Sequence, residues 1–194
     1  MERNFIVVMV ILLAVLLTGC SSKAADNAES FISTIEAMDI PDGVKVIGLG
    51  EATHGNVEFQ ELKKDVFETL IKNENVHVFV IEGDFGGGQQ INDFILNGTG
   101  TAEEAVNTLD YAIYKTEQMV NLVQWMHDYN ATANEEDKLY FYGNDMQRYD
   151  YSKKGVLDYY QTVNENAFTN YESKLEHVSN ENMRELTTDQ LNDI

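Results

Sequence analysis

Glu51 and His54 stand three residues apart in the run Gly48-Leu49-Gly50-Glu51-Ala52-Thr53-His54-Gly55, directly after the apolar stretch Val44 to Leu49. Those two types at that spacing suit general acid–base work. An imidazole titrates near neutrality, and as a base it needs a partner on its far nitrogen to fix the tautomer and stabilise the cation that forms. Two more acidic clusters follow apolar runs: Glu82-Gly83-Asp84 after Val76 to Ile81, and Asn144-Asp145 after Leu139 to Gly143. In open α/β sheets ligands bind beyond the carboxyl ends of the strands, so Glu51, His54, Glu82 and Asp145 are candidates to converge on one pocket. A bland alternative accompanies each, since a Gly-Glu turn can cap a helix and an acid at a strand end can be a solvated loop residue.

Lys63, on the helix expected behind the His54 loop, is the candidate cation for a developing oxyanion, with backbone N–H groups of the glycine-rich loops as the other possibility. Its alternative is a solvated lysine beside Lys64. Water activated through His54 would suit hydrolysis of an ester or lactone. Gly86-Gly87-Gly88 lacks the ending of a phosphate loop and the spacing of a dinucleotide site, and reads as a tight turn with close backbone approach. Neither a Gly-x-Ser-x-Gly elbow nor a His-Glu-x-x-His helix is present, so serine-hydrolase and zincin chemistry lack support. His77, His127 and His177 read as structural or solvated.

The elements that must position these residues follow from periodicity. Phe31, Ile32, Ile35 and Met38 recur at helical spacing over Ser30 to Met38, and Ile40-Pro41-Asp42-Gly43 is a turn into a strand over Val44 to Leu49. Val57, Leu62, Val66, Leu70 and Ile71 predict a helix up to Lys72, closing on a second strand at Val76. A right-handed crossover would make those strands parallel. Ile91 to Leu96 form a short helix after the glycines, stopped by Asn97-Gly98-Thr99-Gly100, and Thr101 with Glu104 signals a capped helix to Leu109. Thr116 to Tyr129 is strongly periodic, Leu139 to Gly143 is the third strand, and polar helices follow Tyr151. Thr187-Thr188-Asp189-Gln190-Leu191 starts another helix. The fold class expected is α/β, a parallel sheet flanked by helices. Three strands are few for so much helix, so the domain over residues 31–194 is expected to be incomplete at its C-terminal side.

With Lys and Arg numbering 13 against 33 Asp and Glu, the net charge is −20, while 43% of residues are hydrophobic, as in a globular protein. That field disfavours nucleic acid and polybasic membrane docking. Phe5 to Leu17 is too short to span a bilayer and fits an export signal over residues 1–19. Leu17-Thr18-Gly19-Cys20 looks like a lipobox, which implies lipidation of Cys20, a flexible tether over 20–30, and a domain held at the extracytoplasmic face of the cell membrane. Cys20 is the sole cysteine, which excludes disulfides, a cysteine nucleophile and cysteine-ligated metal in the exported domain.

Gly50-Glu51-Ala52-Thr53-His54-Gly55, Phe59, Leu62-Lys63, Val78 to Gly86, Thr116-Glu117, Trp125-Met126, Tyr129-Asn130 and Gly143-Asn144-Asp145-Met146-Gln147, in that order, resemble the erythromycin esterase family. The resemblance implies a hydrolase without metal or cofactor that opens a macrolide lactone with water and so confers antibiotic resistance. Carried over by position, His54 is the base, Glu51 and Glu82 are the site glutamates, and Lys63 falls where an active esterase has arginine. Asp84, Asp145 and Gln147 are the substrate-binding candidates. Tyr114 stands where many relatives have tryptophan. Family members are about twice as long, and a further site histidine comes from their downstream half.

A rival from another class is a non-catalytic lipoprotein that binds a ligand, haem or a divalent metal, since Glu51, His54, Glu82 and Asp145 offer donor types that such ions accept. A third is an inactive gene fragment.

Overall fold

Helix α1, Val57–Glu74, buries Val66, Phe67 and Leu70 along one stripe, as its apolar spacing requires. It ends at Asn75, whose left-handed φ of 55° and N–H bonded back to the Leu70 carbonyl stop the helix. The computed structural model describes residues 33–194. The expected export signal 1–19, Cys20 and the tether 20–30 therefore lie outside the described residues. The helix expected over Ser30 to Met38 lies partly outside the described residues; within them, a 3-10 turn forms at Ile35–Ala37.

The remaining elements follow in chain order: β1 Val78–Asp84, α2 Phe85–Asn97, α3 Ala102–Asn107, α4 Glu117–Asn130, β2 Tyr140–Asp145, α5 Asp150–Val163, α6 Glu165–Lys174 and α7 Thr188–Asp193. Thr101 and Glu104 close the expected capping box on α3, and Thr187 with Gln190 closes another on α7. β1 and β2 pair in parallel, from Val78 opposite Tyr140 to Ile81 opposite Gly143, then Asp84 opposite Asp145. Three steps along β1 thus match two along β2, a bulge at Glu82-Gly83 of the kind that re-aims a side chain at a strand end.

Val44 to Leu49 does not form the third strand. The described residues contain a sheet of two strands, and this segment runs past without a ladder partner, leaving Val46 86% exposed. An apolar alternation marks what could be a strand, but a strand exists only where its N–H and C=O groups find another chain segment. The sheet also leaves one face exposed. Phe79 and Ile81 turn inward, Phe79 stacking on Phe141 at 5.7 Å, while Val78 and Val80 are exposed on the other side.

Ile91, Phe94 and Ile95 of α2, Val106 of α3, Leu109, and Met119, Leu122, Val123 and Met126 of α4 form the core with Phe141 and Leu139. Asn130 fastens β2 to α4 from both sides of a peptide: its Nδ2 donates to the Leu139 carbonyl at 2.9 Å and its Oδ1 accepts from the Leu139 N–H at 2.7 Å. The three glycines lie in the first turn of α2, and what they provide is close approach. A Cβ at Gly88 would sit 2.4 Å from the Gly143 nitrogen, and one at Gly86 would sit 2.4 Å from the Ser152 nitrogen. Only a bare backbone lets α2 lie this close to β2 and α5.

Candidate active site

The loop before α1 is organised around Glu51. His54 Nδ1 lies 2.7 Å from Glu51 Oε1, and Lys63, one turn and a half into α1, places Nζ 3.0 Å from Oε2. Gln60 ties the group together: its Nε2 donates to the His54 carbonyl at 3.2 Å, and its Oε1 accepts from Lys63 Nζ at 2.9 Å. Lys63 is therefore not a solvated lysine, with only 14% of its side chain exposed. Its neighbour Lys64 is the outward one, pairing with Glu68 and lying 5.2 Å from the Trp125 ring. The Lys63 ammonium is engaged by Glu51 and Gln60, which gives it the work of holding Glu51 charged and in place.

Burial pushes the Glu51 carboxyl up, but hydrogen bonds from His54 and Lys63 and the charge of each outweigh that, so it ionises below the ordinary carboxylate value. An ionised carboxylate is acceptor-only, so the imidazole must carry its hydrogen on Nδ1 and keep Nε2 as the basic nitrogen. The Lys63 ammonium meets the second oxygen, Oε2, at 3.0 Å as an ion pair.

His54 also lines a cleft of about 280 Å³ with Val57, Gln60, Ala112, Ile113, Thr116 and Gln118. Its walls are largely apolar, with hydroxyl and amide groups among them, a composition suited to an uncharged organic ligand. One wall comes from the loop before α1 and the first turn of that helix. The other comes from the connection between α3 and α4.

Glu82 lies in the bulge at the end of β1, exposed. The Tyr114 hydroxyl donates to its carbonyl oxygen, and the phenol is pushed above its ordinary value by burial and then by the charges of Glu82 and Glu51. Asp84 is fully buried, capping α2 by accepting from the Gly87 N–H at 2.7 Å and accepting from the Arg148 N–H at 3.0 Å. That carboxylate is occupied in holding two segments together. Asp145 is exposed and accepts from the Met146 N–H, while Gln147 is half-buried in the same loop. Among the described residues no group of three or more His, Cys, Asp or Glu side chains is placed to hold a metal ion. His127 stacks on Phe94 at 4.9 Å, as a structural histidine.

Two contributors escape the sequence. Gln60 carries no motif, and Arg148 acts through Asp110, which is 38 residues away. The only trace of Gln60 in the sequence is its place on the same face of α1 as Lys63, three residues on.

Fold and site together define an α/β domain with a carboxylate–imidazole pair before its first helix and acids at its strand ends. The chain belongs to the erythromycin esterase family, whose model matches residues 71–192. That stretch contains Glu82, Asp84, Asp145 and Gln147; Glu51, His54 and Lys63 precede it. Over 127 residues the chain is 31% identical to an erythromycin esterase type II of Escherichia coli, a match covering 63% of this chain and 29% of that protein. Among solved structures, a succinoglycan biosynthesis protein superposes with a TM-score of 0.65 at 25% identity, over 75% of this chain and 38% of the other. A Bacillus cereus protein superposes with a TM-score of 0.64 at 21% identity, over 74% and 36% respectively, and shares the fold. The chain thus spans well under half the length of these relatives.

Proposed function

We propose that this chain carries the general-base part of a hydrolytic site that attacks an ester or lactone with water. The observation that supports it is the Glu51–His54 pair at 2.7 Å, backed by Lys63, with His54 lining the cleft. Family membership and the name of the Escherichia coli relative add the substrate class, a macrolide lactone such as erythromycin.

The chemistry then runs as follows. His54 Nε2 takes a proton from water as the oxygen adds to the carbonyl carbon, and Glu51 stabilises the imidazolium through Nδ1–H. Collapse of the tetrahedral intermediate breaks the C–O bond, and the imidazolium returns its proton to the leaving alkoxide. Glu82, in the bulge at the end of β1, is the second carboxylate proposed to orient water or relay a proton. Asp145 and Gln147 are the groups proposed to meet substrate from the β2 end.

The test is turnover of erythromycin and of p-nitrophenyl esters by the purified chain and by its His54→Ala variant. Loss of a general base lowers the rate by about 10²–10⁴-fold. A variant as fast as the unaltered chain removes His54 from the mechanism, and a chain that turns over neither substrate overturns the hydrolase reading of this portion.

A further inference from the structure

We propose that Arg148 is a positioning residue that sets the far wall of the His54 cleft and thereby the size of ester the site accepts. The inference rests on the hydrolase reading above for its kinetic consequence, and on geometry alone for the tether.

The far wall is made by Ala112, Ile113 and Thr116, in a connection between α3 and α4 built of turns. Leu109 and Tyr114 are buried in the core and Tyr111 and Ile113 pack against it, and within that packing the polar tethers fix where the turns lie. Arg148 supplies three. Its Nε donates to Asp110 Oδ2 at 3.1 Å, its Nη2 donates to the Asp110 carbonyl at 3.1 Å, and its guanidinium lies 4.3 Å from the Tyr111 ring. Arg148 is in turn fixed by its own N–H, donated to the fully buried Asp84. The Tyr114 hydroxyl adds a tie to the Glu82 carbonyl.

A continuous line of contacts therefore runs from the end of β1, through Arg148, to Asp110 and Tyr111, the residues immediately before Ala112 and Ile113. The backbone there is not in its easiest state. Asp110 has a φ of 54°, a left-handed conformation that costs more than the ordinary backbone regions for a residue bearing a Cβ, though aspartate is among those that adopt it most readily. Lys115 reaches the same carboxylate at 3.4 Å, but as a single long contact from within the segment it cannot anchor that segment to the sheet. The planar fork of arginine satisfies two acceptors and stacks on a ring at once, which lysine cannot reproduce.

The test compares the unaltered chain with Arg148→Lys and Asp110→Asn, using p-nitrophenyl acetate and a bulky p-nitrophenyl ester. A displaced wall raises KM for the bulky ester by about tenfold in Arg148→Lys, and by less in Asp110→Asn, with kcat and the acetate kinetics close to unaltered. General loss of structure would instead lower kcat for both esters alike, and that result overturns the proposal. Amide hydrogen exchange supplies the arm independent of catalysis: residues 110–116 exchange faster in Arg148→Lys while α1 keeps its protection. Unchanged exchange in 110–116 refutes the tether. Faster exchange in a chain that hydrolyses neither ester keeps the tether and removes the hydrolase reading.

Discussion

Glu51 is where desolvation and charge oppose one another, and its titration shows which prevails. The carboxyl ionises below its ordinary value of 4.5 because His54 and Lys63 more than offset burial. Its contribution to folding is complete above that ordinary value and is lost as pH falls through the lower folded one, because the unfolded chain binds the proton first. Replacing Glu51 by Gln should therefore cost about 1 kcal/mol at neutral pH, as for a partly exposed ion pair, and flatten the acid limb of a stability–pH curve. Urea unfolding from pH 7 to pH 3 measures both; an unaltered acid limb would detach Glu51 from the pair. Tyr114 has the opposite sign. Its phenol is raised above 10.0, so its contribution is present below that pH and is lost as pH climbs through the folded value. Tyr114→Phe should lose about 1 kcal/mol with the hydrogen bond to Glu82, yet show a shallower alkaline decline above pH 10. Thermal unfolding at pH 8 and pH 11 separates the two effects.

At the scale of elements, α2 and β2 set the spacing on which the strand ends depend, and their contact tolerates no added atom at Gly88. Gly88→Ala would drive a Cβ into the Gly143 backbone at 2.4 Å, where no side-chain rotation relieves it, so the expected loss is about 3 kcal/mol. Gly155, inside α5 with open space around it, is the contrast: Gly155→Ala should gain about 0.5–1 kcal/mol from helix propensity. Denaturant midpoints of the two variants should move in opposite directions, and a harmless Gly88→Ala would contradict the packing described. What was legible in the sequence divides along the same physical line. Helices α1 and α4, the α3 capping box and the Glu51–His54 pair depend on neighbours within a turn or two, so spacing reveals them. The Val44 to Leu49 strand failed because strand formation depends on a partner that local pattern does not specify. Arg148 with Asp110, and Tyr114 with Glu82, join residues more than thirty positions apart, and nothing in the local sequence marks them.

The whole molecule carries a net charge of −20, and its acids are spread along the chain rather than gathered in one tail. The ion pairs among the described residues engage few of these acids, so most of the excess acts as mutual repulsion in the folded state. The unfolded chain relieves that repulsion by separating the charges. Salt should therefore stabilise the fold: the Debye length falls from about 30 Å at 0.01 M to about 8 Å at 0.15 M, which screens distant acids while leaving the Glu51–Lys63 contact at 3.0 Å nearly intact. For a chain of this length each kcal/mol relieved raises Tm by about 2–4 °C. Melting in 0.01 M and 0.3 M sodium chloride, and again in potassium chloride to exclude a specific ion, measures it. A Tm that falls with salt would mean that exposed ion pairs outweigh the net repulsion. The same charge bears on the open face of the sheet: Val78 and Val80 are exposed there, and long-range repulsion between copies is what opposes their association at low salt. Light scattering recorded beside each melt distinguishes a fold made more stable by screening from one made only more prone to associate.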